Sequence, residues 1–336
     1  MSMNIMLNKY FNSFFKNTEE KIDFLAKCPT SDFNNTEDMN KWIKLENKFK
    51  HLLCYNELSD FKLTVNKNGT TILNDIFSRY ITSNTFVVAT VNHETILEYT
   101  NNIPNCYYIT AEDINCPNIE KIITQYKASN CDNIFIYLNS IVDGKLLYND
   151  FVSQLINNLQ IENINYSSVY DAVSSLFIVP ENYELFDYIV FSGHSIIPYY
   201  NLGLLFSKKN TNFGYSDLTK TTQYYELLVK FLNNRDKIYM FNYFMEQYFK
   251  DFVFDNKLKF ISNSCLGIVY IKIVDPLYKK IISKQIENLN CYGIYFDETF
   301  VQIRLTFLLS EDTTKIINSL NKLKDVMKKY KNRNLL

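Results

Sequence analysis

Side chains able to bind anions or move protons gather where short apolar runs of this 336-residue chain end. Asn68-Gly69-Thr70-Thr71 follows the run Phe61–Val65 and opens a helical pattern. Unpaired N–H groups at a helix start, a glycine and two hydroxyls make a seat for a phosphate. The same residues also fit a simple cap supplied by Thr70. His93 follows the run Thr85–Val91, Asp171 follows Ser167–Tyr170, and Ser192-Gly193-His194-Ser195 follows Tyr188–Phe191. An imidazole at the first of these positions can lie over an aromatic ring, or be an ordinary surface or core histidine. Asp171, by position alone, serves equally as a helix N-cap. Arg304, within Val301–Phe307, offers a planar fork for a carboxylate or a salt bridge on a half-exposed strand. Cys291 can be read as a sulfur nucleophile or as a buried, inert thiol.

The order of these residues resembles the class V aminotransferase and cysteine desulfurase family, fold type I enzymes that use pyridoxal phosphate (PLP). The segment Tyr170–Gly203 is similar to that family's D-x-A-Q followed, after a spacer, by S-G-H-K. NGTTILNDIF resembles its G-T-T-E-A-I-N segment, with Ile72 in place of Glu. Val91–Tyr99, Ser140–Gly144 and Val301–Phe307 resemble three further family stretches, and the likeness runs over roughly residues 60–330. It implies that Thr70, Thr71, Ser192 and His194 hold the cofactor phosphate and that His93 stacks on the ring. Asp171 would pair with the pyridine nitrogen and keep it protonated, making the ring a better electron sink. Ser174 stands where the family has a Gln that contacts the ring oxygen, and Arg304 would bind a substrate carboxylate.

Ser195 occupies the position of the family's catalytic lysine. A hydroxyl cannot condense with an aldehyde to an imine, so covalent anchoring is excluded there. Lys208 and Lys209 lie beyond the next apolar run. Ile141, Ile197 and Asn201 replace further family residues. Three readings follow. In the first, PLP or pyridoxamine phosphate is held non-covalently and His93 is the nearest base for an amino-acid-like or keto substrate. In the second, the protein is a pseudoenzyme, a dimeric binding or regulatory module. In the third, the pocket hosts unrelated chemistry without a cofactor.

Positioning these residues requires a mostly parallel sheet covered on both faces. Strands are expected at Phe61–Val65, Thr85–Val91, Tyr107–Thr110, Asn133–Leu138, Ser167–Tyr170, Tyr188–Phe191 and Leu204–Phe206, alternating with helices. Helices are expected at Thr71–Tyr80, His93–Asn101, Asn118–Ser129 and Tyr148–Leu159. Helical spacing also marks Thr18–Ala26 and Asp38–Leu53. One long helical region, Thr221–Phe254, leads to a section with strands at Gly267–Ile273, Tyr292–Phe296 and Phe300–Phe307 and helices at Pro276–Leu289 and Thr313–Tyr330. The expected organisation is an N-terminal helical segment (1–54), a large α/β domain with a seven-stranded sheet (55–255) and a small α+β lobe (256–336).

The resemblance implies a homodimer. A net charge of −1 gives no basis for nucleic-acid binding. Seven scattered cysteines without a C-x-x-C pair argue for a reducing compartment. No apolar run approaches the roughly 20 residues of a membrane span, and no signal peptide is read at the start. A cytoplasmic protein is the expectation.

Overall fold

The computed structural model describes residues 36–52, 60–90, 94–101, 103–110, 113, 118–142, 145–147, 149–173, 185–193, 201–208, 218–233, 235–253, 258–263, 268–273, 294–297, 300–304 and 313–333. These divide into two compact units, one reaching Val229 and the other beginning at Lys230.

The first unit opens with helix α1 (Thr36–Leu52) and strand β1 (Lys62–Asn66). Helix α2 (Gly69–Tyr80), β2 (Thr85–Thr90), α3 (Glu94–Thr100) and β3 (Cys106–Ile109) follow, then α4 (Ile119–Ala128) and β4 (Asn133–Asn139). A short hairpin of β5 (Ile141–Val142) and β6 (Lys145–Leu146) precedes α5 (Asn149–Ile161). The unit is completed by β7 (Tyr166–Asp171), β8 (Tyr188–Ser192), β9 (Gly203–Ser207) and all but the last turn of α6 (Leu218–Leu232).

Every position of β2, β8 and β9 is buried. Strands with no solvent face belong inside a sheet covered on both sides. The seven strands run in the order β1-β9-β8-β7-β4-β2-β3. β2, β3, β4, β7 and β8 pair in parallel, whereas β9 is antiparallel to both β8 and β1. Only β9 therefore runs against the other strands, and the carboxyl ends of β1, β7 and β8 lie along the same edge as the start of β9.

Helix α2 closes one face. Its Ile72, Leu73, Ile76 and Phe77 recur on one side of the helix and pack in a core with Val87, Ala89, Tyr137, Val169, Val190 and Leu205. The helix starts where it does because Asn68 is extended and its side chain accepts the N–H of Thr71. The Thr70 cap considered from sequence is thus replaced by an Asn68 cap, a residue type favoured at this position.

The second unit holds helix α7 (Arg235–Val253), strands β10 (Leu258–Asn263), β11 (Ile268–Ile273), β12 (Ile294–Asp297) and β13 (Phe300–Arg304), and helix α8 (Thr313–Arg333). Its four strands form an antiparallel sheet in the order β10-β11-β13-β12. Ile316, Leu320, Leu323 and Met327 make the buried stripe of α8. The Tyr248 hydroxyl on α7 donates to Asn321 on α8.

Two further expectations change. The helical region expected at Thr221–Phe254 is two helices, because α6 ends in a turn at Asn233. Strand β10 was not anticipated. Its mixed sequence LKFISN carries no clean alternation, and its place is set by the β11 backbone beside it. The helices expected at Thr18–Ala26 and Pro276–Leu289 lie outside the described residues.

Candidate functional site

The site is built along the edge where the parallel strands end. Asp171 is the last residue of β7 and is fully buried. Its backbone is fixed on both sides: its carbonyl accepts the N–H of Ser140, and the N–H of Ala172 donates to Val190 on β8. Its carboxylate Oδ2 accepts the Tyr137 hydroxyl at 2.6 Å and the Asn139 Nδ2 at 3.3 Å. Oδ1 accepts the N–H of Val173 at 2.9 Å, a local turn that Asp favours.

Register explains this convergence. Asn139 is paired with Asp171 and Tyr137 with Val169, so Tyr137, Asn139 and Asp171 share the face covered by α2. A carboxylate withdrawn from water is costly without hydrogen bonds, and these donors supply them. Burial, and then the Asp171 charge, hold the Tyr137 phenol well above the usual tyrosine range, so it stays a donor. The Tyr137 ring is held in turn in a T-shaped pair with Phe77 on α2, with centroids 5.2 Å apart at 86°.

The helix start closes on the same place. A Cβ added at Gly69 would stand 3.1 Å from Val173 Cγ2 and 3.2 Å from Ser192 Cβ. The beginning of α2 is thus in contact with the segment that follows Asp171 and with the end of β8. Ser192 is fully buried and pairs with Gly203, which also pairs with Asn66 at the end of β1. A Cβ on Gly203 would lie 2.4 Å from the carbonyl carbon and oxygen of Asn68, so only glycine fits beneath the turn.

Of the residues singled out from sequence, Asp171, Ser192 and the Gly69 helix start come together. Thr70 is exposed in the first turn. Thr71 directs both its N–H (2.7 Å) and its hydroxyl (3.0 Å) to Asn68 Oδ1. Arg304 ends β13 in the other unit, its backbone paired with Ile268. His93, Ser174, His194, Ser195 and Cys291 lie outside the described residues. His93 follows β2, whose last residue Thr90 accepts the N–H of Asn139 at 2.7 Å. Tyr137 and Asn139 were missed from sequence, and the cap was given to Thr70 rather than to Asn68 of the same motif. Two polar residues spaced by two at the end of the run Ile134–Asn139, Tyr137 and Asn139, were the available sign of a polar site on one face.

No family model matches this chain, and no curated protein matches it in sequence. Solved structures do match. A NifS-like protein from Rickettsia africae superposes with a TM-score of 0.66 at 15% identity, covering 92% of this chain and 95% of that one. A kynurenine aminotransferase from Pyrococcus horikoshii, solved with pyridoxamine phosphate, gives 0.61 at 12% identity over 96% and 87% of the two chains. A histidinol-phosphate aminotransferase, described as putative, from Erwinia carotovora gives 0.61 at 11% over 96% and 92%. The fold is type I of the PLP-dependent enzymes. In open α/β sheets ligands bind beyond the carboxyl ends of the strands, and in this type I fold that edge carries Asp171, Ser192 and the start of α2.

Proposed function

We propose that this edge binds pyridoxal phosphate or pyridoxamine phosphate without a covalent tether, and that the protein acts on an amino-acid-like or keto substrate. The observation that carries the reading is the buried Asp171 carboxylate, held by three donors on the face where Gly69 meets Ser192. That combination suits a ring nitrogen at one end of a ligand and a phosphate at the other.

The bound cofactor would supply an electron sink for carbanion chemistry at a substrate carbon. The chain supplies binding, orientation and proton transfer. Asp171 holds a positive ring nitrogen by charge and hydrogen bonding. The first turn of α2, with Thr70 and, once released from Asn68, Thr71, would receive the phosphate at a helix N-terminus, with Ser192 and His194 beside it. On this reading Ser174 would contact the ring oxygen, and His93 would stack on the ring and move the proton that a lysine would otherwise carry. By the family resemblance, Ser195 would offer a hydroxyl in place of the lysine, and Arg304 would bind the substrate carboxylate. The same reading makes the protein a cytoplasmic homodimer. Among the described residues no helix is long and apolar enough to cross a membrane.

A second reading, a dimeric binding or regulatory module without turnover, is favoured by two features. Ser195 removes the tether, and Thr71 spends both of its donors on Asn68.

Titration of the purified protein with pyridoxamine phosphate and with PLP, followed by absorbance and by retention on a desalting column, tests the proposal. Saturable binding lost in Asp171→Ala supports it. No binding of either compound overturns it. Light scattering of the same sample tests the dimer.

A further inference from the structure

We propose that Tyr137 and Asn139 are positioning residues for Asp171, holding its carboxylate in the orientation and ionised form that leaves the shared proton on the ring nitrogen of the ligand. The inference rests on the reading that a pyridine-type cofactor binds at this edge. Neither residue belongs to the motifs that suggested that reading, and both stand on β4.

The geometry is specific. Both donors converge on one oxygen, Oδ2, from positions two apart on the adjacent parallel strand, while Val173 N–H takes Oδ1. The carboxylate plane is therefore fixed from two sides. Tyr137, Asn139 and Asp171 are all buried, and the Tyr137 ring has Phe77 against it. A hydroxyl and an amide are neutral. They stabilise the carboxylate anion without cancelling its charge, which lowers its affinity for a proton. When such a carboxylate meets a ring nitrogen, the proton between them stays on nitrogen. Removing the phenol hydroxyl raises the proton affinity of Oδ2 and lets that proton move toward the carboxylate. No bond other than the N–H and O–H hydrogen bonds changes.

The test uses pyridoxamine phosphate labelled with nitrogen-15 in the ring. It is bound to wild-type protein and to the Tyr137→Phe, Asn139→Leu and Asp171→Asn variants. Two quantities are read: the dissociation constant and the ring-nitrogen chemical shift. Wild type is expected to show a protonated ring nitrogen. Tyr137→Phe is expected to bind about tenfold more weakly, the effect of losing one hydrogen bond to a charged group. Its shift should move toward the unprotonated value. Asn139→Leu, with the longer hydrogen bond, is expected to move the shift in the same direction by less, and it stands in if Tyr137→Phe does not fold. A purely structural role would lower the melting temperature and leave the shift of bound ligand unchanged. Wild-type affinity and shift in the folded variants overturn this inference and leave the cofactor reading standing. Failure of wild type to bind the labelled compound overturns both.

Discussion

Tyr137 and Asp171 stand on adjacent parallel strands and meet through a 2.6 Å hydrogen bond, with both side chains withdrawn from water. Neither group is stable there alone. Asp171→Ala would leave the Tyr137 hydroxyl, the Asn139 amide and the Val173 N–H without their acceptor. The expected cost is on the order of 3 kcal/mol. Asp171→Asn keeps an acceptor oxygen and should cost less. Urea midpoints of the two variants check the order, and equal midpoints would count against the network.

The turn at Asn68–Gly69 rests on the Gly203 backbone. A methyl at Gly203 meets Asn68 backbone atoms at 2.4 Å, whereas a methyl at Gly69 meets side-chain atoms at 3.1 and 3.2 Å. Gly203→Ala must shift the backbone, at a cost of roughly 1–3 kcal/mol or more. Gly69→Ala can be absorbed by smaller movements. Calorimetric melting of the two variants should rank Gly203→Ala as the less stable.

Asn68 caps α2 through its contact with Thr71. Asn68→Ala should cost about 1 kcal/mol, seen as a fall in melting temperature of roughly 2–4 °C. Asn68→Asp keeps the acceptor and places a negative charge at a helix N-terminus, so it should retain wild-type stability. Ranking by thermal melt decides this, and an unaffected Asn68→Ala would remove the cap from the account.

Alkaline pH should destabilise the fold from a definite point. Burial pushes the Cys106 thiol from its ordinary 9.0 up to about 11. Burial, and then the neighbouring Asp113, push Tyr107 from 10.0 to about 12. In each case the folded state keeps a proton that the unfolded chain releases. The resulting stability is complete below the unfolded values and is lost as pH rises through the folded ones. Cys106→Ala should therefore lose less stability than wild type between about pH 9 and pH 11. Melting curves across that range measure the difference.

Much of the sheet was legible because its strands are short, apolar and bounded by polar residues. Asn133–Asn139 and Tyr188–Ser192 differ from the expected spans by only one residue at an end. Asp171 was legible as a strand-end acid. Its partners were not, because the pairing of Asn139 with Asp171 joins positions 32 apart in sequence, and no local pattern encodes which strand lies beside which. The cap was misassigned for a related reason. Asn68 and Thr70 are both good capping types, and only the position of the first helical turn over Gly203 distinguishes them. Strand β10 stayed hidden because its conformation depends on a neighbouring edge more than on its own alternation.

If a phosphorylated pyridine binds at this edge without a covalent anchor, restoring the anchor in Ser195→Lys should capture it. The variant is incubated with PLP, reduced with borohydride, digested and analysed by mass spectrometry. The expected product is a phosphopyridoxyl adduct on the peptide containing position 195, formed at one equivalent per chain and abolished by adding Asp171→Ala. No adduct at that position, or labelling spread over exposed lysines such as Lys208, would overturn this reading.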